Sequence, residues 1–267
     1  MPANTSDTPE SKQMEKELTF ALDAARQGNH RPLHALVATE RSLHTSMALM
    51  DKVENTVMSV VLLRKFEDAC KSANLVDLDL FIASEAHDHA ARDGAMRPLH
   101  HAASNLFTAG LQRLLQAGAD VNVTDDKGRT PLACLFIDRS MHPSSYLVVA
   151  SIKTLIAAGG RPNLGDAWSK TPLHRAAELA ESSAVQALLQ GGANVDAADC
   201  NQRTPLIELL EMASLYPRRK VMKTLKILLA AGANPNAPGN GYSPMHYSCE
   251  MTEMPEVQEL LVQHGGL

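Results

Sequence analysis

Residues 171–203 read TPLHRAAELAESSAVQALLQGGANVDAADCNQR, and the motif that opens this stretch recurs at four other places in the chain. The related copies are Arg97-Pro98-Leu99-His100, Thr130-Pro131-Leu132-Ala133, Thr204-Pro205-Leu206-Ile207 and Ser243-Pro244-Met245-His246. The five prolines follow one another at intervals of 33, 41, 33 and 39 residues. A period of roughly 20 to 50 residues is typical of proteins built from stacked repeats. The sequence therefore predicts a repeat protein.

A second motif falls late in each repeat and stays in phase with the first. Gly192-Ala193-Asn194-Val195-Asp196 has counterparts in Gly118-Ala119-Asp120-Val121-Asn122, Gly159-Gly160-Arg161-Pro162-Asn163 and Gly232-Ala233-Asn234-Pro235-Asn236. Two motifs that recur in phase indicate one structural unit repeated along the chain.

Each motif has a mechanical role in a pair of helices. Proline is tolerated in the first turn of a helix, and the Thr or Ser before it can cap the first amides. The apolar run 185–189 predicts a second helix, which Gly192 can end because glycine adopts the left-handed conformation without steric cost. The polar residues 194–203 are typical of a turn between units.

These residues resemble the ankyrin repeat, whose pattern reads T-P-L-H-x-A-A in the first helix and L-L-x-x-G-A-D/N-x-N after the second. The resemblance implies an all-α, ankyrin-type helical solenoid with short β-hairpin-like fingers and a concave face that binds other proteins. Five clear units are predicted at 97–129, 130–170, 171–203, 204–242 and 243–267.

The region before these units is related but degenerate. Residues 15–96 are interpreted as about two ankyrin-like units or as a separate helical cap, and residues 1–14 as a flexible tail. Counting the two degenerate units, the five clear ones are units three to seven.

Composition limits the classes of function. The net charge of −5 argues against nucleic acid as a partner, and no apolar run is long enough to cross a bilayer. The N-terminus lacks the pattern of a secretory signal. The four cysteines lie 64, 66 and 49 residues apart, which suits neither a zinc cluster nor a disulfide scaffold. We therefore expect reduced thiols and a location in the cytoplasm or the nucleus.

The sequence predicts no enzyme, no cofactor, no metal site and no small-molecule substrate. The histidines at the fourth position of the opening motif, His100, His174 and His246, recur once per repeat, which favours a structural role. No phosphate loop, nucleophile elbow or zinc-protease motif is present.

The expected function is that of an interaction scaffold or adaptor that holds another protein. A preformed repeat surface suits this role because it loses little conformational entropy on binding. A permanent structural subunit of a large assembly is one alternative, and an enzyme-like effector is another.

The first candidate binding site consists of the two long loops that join the helices of units four and six. One loop carries Arg139 and Tyr146, and the other carries Tyr216, Arg218 and Arg219. Arg is favoured in interfaces because it pairs with carboxylates in bidentate fashion, so we predict a patch for an acidic partner segment. The alternative is that these loops simply tolerate insertions.

The second candidate site is the row of finger tips. Counting from motif to motif places Asp125, Asp166 and Asp199 in register. The following tip position is then occupied by Lys127, Trp168 and Asn201. Trp168 is the single tryptophan of the chain, and tryptophan is enriched among interface hot spots. The alternative is that Trp168 packs against the neighbouring finger.

Overall fold

The helices of the computed structural model come in pairs that follow the repeats. The structure describes residues 68–76, 78–79, 98–137, 145–239, 241–250 and 254–267. After a short helical segment at 68–72, the helices are α1 Pro98–Ser104, α2 Thr108–Gln116, α3 Pro131–Cys134, α4 Ser145–Ala157, α5 Pro172–Glu178, α6 Ser182–Gln190, α7 Pro205–Glu211, α8 Arg218–Ala230, α9 Pro244–Glu250 and α10 Pro255–Gln263. A 3₁₀ turn, Ala213–Leu215, lies between α7 and α8.

The ten helices form two layers. The first helices α1, α3, α5, α7 and α9 pack side by side in one layer, and the second helices α2, α4, α6, α8 and α10 pack in the other. Each predicted clear unit thus contributes one helix to each layer. The unit boundaries themselves stay predictions.

Small and medium aliphatic side chains fill the space between the layers. Leu99, Leu173 and Leu206 of the opening motifs are almost fully buried, as are Val185 and Leu188 of α6. The buried set forms one cluster that runs through the described units. Each helix pair cannot cover its own apolar face, so stacking of neighbours supplies the stability.

Glycine ends the second helices, as the closing motif predicts. Gly192 follows α6 with a φ of 87°, and Gly118 after α2 has a φ of 91°. The amide of Ala193 bonds back to the carbonyl of Leu188, which satisfies one of the last free carbonyls of α6.

The predicted β-hairpin-like fingers are turns rather than strands. In unit four the amide of Asp166 bonds the carbonyl of Lys170, and the same bond joins Asp199 to Arg203 in unit five. An isolated bridge between Gly239 and Tyr242 closes the next finger. In the parts of the chain that the structure describes there is no strand, because each finger closes with a single narrow pair.

Some sequence-based predictions lie outside the described residues. These are the tail at 1–14, Arg139 and most of the degenerate region 15–96. Within the described ranges, no helix combines the length and the apolar character needed to span a bilayer.

Candidate functional site

The fingers are held by one aspartate each, at the register that the spacing predicts. Oδ1 of Asp166 accepts the amides of Trp168 and Lys170, at 2.9 and 3.0 Å. Asp125 and Asp199 accept the two corresponding amides in the same way. The carboxylate therefore folds the tip of each finger around itself.

Arginine side chains form ion pairs with the second carboxylate oxygen of these aspartates. Arg129 lies 2.7 Å from Oδ2 of Asp125, and Arg203 lies 3.1 Å from Oδ2 of Asp199. Burial alone would raise the pKa of Asp125, but the bonds from the Arg129 side chain and backbone leave it lowered. The pKa of Asp199 is lowered in the same way, by hydrogen bonds from Arg203 and Asn201. These carboxylates stay ionised, and the fingers are rigid as a result.

Unit four uses an arginine from its neighbour for this purpose. Arg175 of α5 lies 2.9 Å from Oδ2 of Asp166 and 3.3 Å from Glu178. The finger of unit four is thus fixed to the first helix of unit five.

The finger tips are exposed and joined in a row. Lys127, Trp168 and Asn201 are all exposed, and Trp168 retains 50% of its surface. The amide of Ala167 bonds the carbonyl of Lys127, and the amide of Cys200 bonds the carbonyl of Trp168, both at 2.9 Å. Trp168 is therefore not buried against a neighbouring finger, although backbone hydrogen bonds to both neighbouring fingers fix the turn that carries it.

A groove of about 180 Å³ lies between the first helices of units four and five. Its apolar lining comes from Ala133, Phe136, Ile137 and Leu179, and its charged rim from Arg129, Arg175 and Glu178. Ile137 keeps 38% of its surface exposed. The groove has room for about one large apolar side chain from a partner.

A buried carboxylate that sequence reasoning missed joins units four, five and six. Glu208 of α7 is 1% exposed, and its Oε1 lies 2.8 Å from Lys170 and 3.1 Å from Arg203. Burial raises the pKa of Glu208, and the two cations offset that rise only in part. The charges come from three different units, so no local motif marks them.

The histidines of the opening motif are structural, as predicted. Nδ1 of His174 accepts the amide of Thr171 at 3.1 Å, so Nε2 carries the proton and donates it to the carbonyl of Arg203 at 3.0 Å. His100 makes the same bond to the carbonyl of Arg129 at 2.8 Å. These rings therefore tie a first helix to the base of the following finger.

Asparagines form hydrogen bonds between neighbouring units. Asn163 donates to the carbonyl of Gly192 at 3.0 Å and accepts the amide of Asn194 at 2.7 Å. Asn122 and Asn236 make the equivalent pair of bonds. The sequence signal is a residue four places after each closing glycine, which is Asn in three of these units and Asp196 in the fourth.

The long loops present fewer free groups than their sequences suggest. Tyr146 is 76% exposed, whereas Tyr216 is partly buried against the core. Arg218 forms an ion pair with Glu256 of α10. Among the described residues, the Arg219 side chain has no ion-pair or hydrogen-bond partner.

Tyr146 and Tyr216 both lie next to second helices of the stack. Tyr146 stands at the start of α4 and Tyr216 just before α8, and α6 packs between these two helices. Lys220 pairs with Glu181 at the start of α6, at 3.0 Å. Of the predicted Tyr/Arg patch, Tyr146 and Arg219 are exposed, Arg139 lies outside the described residues, and the binding role of the patch stays a prediction.

Metal-ligand clusters and the state of the thiols can be checked in the described part of the chain. No cluster of three His, Cys, Asp or Glu able to hold a metal ion occurs there. Cys70 and Cys134 are buried and Cys200 and Cys249 are exposed, all four as free thiols. Burial raises the pKa of the Cys134 thiol to about 12, so it stays protonated.

The geometry defines a helical repeat solenoid, and comparison with known proteins identifies the kind of repeat. An ankyrin repeat model matches residues 96–126, and a model of three ankyrin repeats matches residues 146–216. Ankyrin repeats are therefore present in these two parts of the chain. No curated protein matches it.

A solved structure shares the fold. A crystal structure of an ankyrin repeat domain from Acinetobacter baumannii AYE matches with a TM-score of 0.62 and 23% identity, covering 76% of this chain and 98% of that one. Ankyrin repeats generally mediate protein–protein interactions, and the fold is typically a non-enzymatic interaction module.

Proposed function

We propose that this chain is an interaction scaffold that binds a partner protein through its first-helix layer and its row of fingers. The observation that carries the proposal is Trp168, a large aromatic side chain half exposed on a turn whose backbone is fixed on both sides. Tryptophan is the residue type most enriched at binding hot spots, and a fixed turn loses little entropy on binding.

The groove between units four and five supports the same surface. It belongs to the layer that carries the fingers, and apolar and charged side chains line it together. Protein interfaces combine apolar contacts with polar ones in this way. The partner is therefore expected to place one apolar side chain in the groove and a second contact on Trp168.

The long loops enter the proposal as a secondary contact. Tyr146 and Arg219 are exposed in the first turns of α4 and α8. An acidic partner segment suits an arginine that has no partner within the described residues. The free thiols are consistent with a reducing compartment, so we propose the cytoplasm or the nucleus as the location.

The test compares partner capture by matched variants. Wild type, Trp168→Ser and Val76→Ser are immobilised, and bound proteins are quantified by mass spectrometry. Val76 is an exposed apolar residue (69%) away from the finger row, so it is the control. We expect at least one protein to bind wild type and Val76→Ser but to fall about tenfold or more on Trp168→Ser.

The loops are tested in the same experiment by Tyr146→Ser combined with Arg219→Ser. A loss of the same protein assigns the loops to the contact, and unchanged binding removes them from it. Capture that is equal for wild type and Trp168→Ser would disprove the role of the finger row. Circular dichroism checks that each variant is folded.

A further inference from the structure

The first-helix layer carries a row of equivalent residues whose chemistry changes from one unit to the next. We call it the eighth-position row, because it is the eighth residue counted from the one before each motif proline. In units four, five and six the row consists of Ile137, Glu178 and Glu211, and unit seven has Glu250 there. The helices α3, α5 and α7 pack side by side, so these positions follow one another across the layer. The row therefore passes from an apolar residue to acidic ones.

The apolar start of the row lines the groove between units four and five. Ile137 keeps 38% of its surface exposed, while Phe136 and Leu179 beside it in the groove are buried. A partner's apolar side chain placed in the groove would cover the exposed part of Ile137. Removing that surface from water favours binding.

The charged residues of the groove leave an excess of negative charge. Arg129 pairs with Asp125, which balances that finger. Arg175 is shared by two carboxylates, because it lies 2.9 Å from Asp166 and 3.3 Å from Glu178. This second group therefore has one carboxylate more than it has cations.

The next group of ion pairs along the layer has the same imbalance. Its cations are Lys170 and Arg203, and its carboxylates are Asp199, Glu208 and Glu211. Arg203 is shared by all three carboxylates, at 3.1, 3.1 and 2.8 Å. Glu211 is the most accessible of them, since its side chain keeps 34% of its surface. A cation from a partner can therefore reach Glu211 and complete an unbalanced group.

The excess of negative charge does not depend on the buried Glu208. Without it, the three groups of ion pairs still contain five carboxylates and four cations. Arg175 is the only lysine or arginine in the five first helices that the structure describes. At the finger bases, Asp120, Arg161 and Asp196 add one further negative charge. The first-helix layer is thus acidic in units four to six.

The remaining charges at the finger tips and beside Ile137 come in pairs of opposite sign. Asp126 and Lys127 are adjacent and exposed at the first tip. The corresponding tips of the next two fingers carry no charged residue. Asp138 and Arg139 follow Ile137 in the sequence and lie outside the described residues. These pairs leave the sign of the layer unchanged.

We propose that the groove and the eighth-position row bind an extended basic segment of a partner protein. One apolar side chain of the segment occupies the groove, and a lysine or arginine lies beside Glu211. The inference rests on the proposed function and specifies the chemistry of the partner. Charge complementarity carries it, since a basic segment supplies the cation that both groups of ion pairs lack.

The spacing of the helices sets the spacing of the two contacts in the segment. Packed helices lie about 8–10 Å apart, and an extended chain advances about 3.3 Å per residue. The groove lies between units four and five, and Glu211 lies in unit six, so the two contacts are separated by about one to one and a half such steps. The basic residue is therefore expected about three to five positions from the apolar one.

This segment is distinct from the acidic one predicted for the long loops. Tyr146 and Arg219 lie on α4 and α8, which belong to the second-helix layer. The eighth-position row belongs to the first-helix layer. The two predictions therefore concern different surfaces and can be tested separately.

The first test selects ligands from a display library of random peptides on the immobilised full chain. The peptides have about 12 residues, which span about 40 Å when extended. We expect the enriched peptides to share a large apolar residue with a lysine or arginine about three to five positions away. Enrichment of acidic or uncharged apolar peptides would assign the groove to another occupant, and this outcome or the absence of any binder would overturn the proposal.

The second test measures one synthetic peptide from that selection by fluorescence anisotropy against matched variants. Ile137→Ser should weaken binding about fivefold, through lost apolar contact, and Glu211→Gln about threefold, because an exposed ion pair contributes little. Glu259→Gln removes the same charge from an exposed position of α10 in the second-helix layer and should leave the affinity unchanged. Equal affinity of wild type, Ile137→Ser and Glu211→Gln would reject this surface.

A substitution in the peptide checks that Glu211 acts through the expected ion pair. With the basic residue of the peptide replaced by glutamine, wild type and Glu211→Gln should bind equally well, because the two changes remove the same interaction. A threefold difference that persists with this peptide would exclude the ion pair. Urea unfolding of each variant checks that it is folded, and the Glu211→Gln cycle decides the question if Ile137→Ser is not.

The failure of this inference is distinguishable from the failure of the proposed function. Capture of a partner that depends on Trp168 but not on Ile137 or Glu211 upholds the proposed function and overturns the basic segment. Peptide binding that depends on Glu211, together with partner capture that Trp168→Ser leaves unchanged, supports the basic segment and removes the fingers from the contact.

Discussion

Units five and six have the same opening motif but tie it down by different means. In unit five, the Thr171 hydroxyl and amide meet Nδ1 of His174, whose other nitrogen bonds the carbonyl of Arg203. Unit six has Thr204 in the same place, but Ile207 stands where the histidine would be. Among the described residues, the buried Thr204 hydroxyl has no hydrogen-bond partner.

The difference shows that apolar packing can replace a polar tie at this position. Ile207 is fully buried, and a Cβ added to Gly239 of the following finger would stand 2.3 Å from its Cδ1. The isoleucine of unit six packs against its finger, whereas His174 of unit five donates a hydrogen bond to its own finger. Unit six therefore retains the contact between first helix and finger but loses its directional bond.

The largest effect is expected when an apolar residue replaces the histidine of unit five, because no glycine lies opposite it in the finger. His174→Leu acts in a buried site. It removes the ring nitrogen that accepts the Thr171 amide and the ring nitrogen that donates to the Arg203 carbonyl. We expect the free energy of unfolding to fall by about 2–3 kcal/mol in a urea titration. The new leucine also has no glycine opposite it, because the variant leaves Arg203 and the other residues of the finger unchanged.

His246→Leu is the matched control for that change. His246 has the same bonds to Ser243 but is exposed, and its Nε2 bonds no finger in the described residues. The loss should stay below about 1 kcal/mol. Equal losses at both positions would show that the bond from His174 to the finger contributes nothing to stability.

The second prediction concerns pH and separates the two units by their titration. Burial lowers the pKa of His174 below its ordinary 6.5, and the bond to the Arg203 carbonyl opposes this only in part. Just below pH 6.5 the ring is therefore neutral in the folded state and takes up a proton on unfolding. Stability is fully present above about pH 6.5 and falls below it, by up to about 1.4 kcal/mol per pH unit.

The measurement is the difference in unfolding free energy between wild type and His174→Gln from pH 7.5 to 5.5. Contributions of Glu208 and the other titrating groups largely cancel in that difference. We expect the gap between the two proteins to narrow as the pH falls, because glutamine does not titrate. A gap that is constant with pH would mean that His174 has the same pKa in the folded and the unfolded state, so that burial does not keep the ring neutral.

Local rules account for what the sequence could predict in these units. The prolines and glycines located the helix pairs because each acts on its own backbone, and counting placed Asp125, Asp166 and Asp199 at the finger tips. Glu208 escaped prediction because its cations, Lys170 and Arg203, belong to other units. The ion pair of Arg218 could not be predicted for a similar reason, since its partner Glu256 belongs to the next unit.

The third prediction sharpens the comparison at the asparagine ties. Asp196 accepts the amide of Asn234 at 2.9 Å but, as a carboxylate, cannot donate to the carbonyl of Gly232. Asp196→Asn should add that bond and stabilise the chain by about 0.5–1 kcal/mol. Asn163→Asp should remove one and cost about 1 kcal/mol. Thermal unfolding of both variants checks the pair, and shifts of the same sign would exclude the mechanism.

The smallest effect is expected at the finger tips, where units three, four and five carry different residues at one left-handed position. The turn requires a left-handed residue, which is Gly128 with a φ of 70° in unit three but Ser169 and Gln202, each with a φ of 60°, in the next two. A side chain makes this conformation costly, although glycine gains more entropy on unfolding, so Ser169→Gly should stabilise by only about 0.5 kcal/mol.

The reverse substitution at Gly128 completes the test of the finger tips. A Cβ there would stand 3.1 Å from the amide nitrogen of Ala167, which bonds the carbonyl of Lys127. Gly128→Ser should therefore cost about 1 kcal/mol, more than Ser169→Gly gains, because it adds a close contact to the backbone strain. Hydrogen exchange of the Ala167 amide checks the cause: faster exchange in Gly128→Ser is expected, and an unchanged rate would limit the effect to the turn itself.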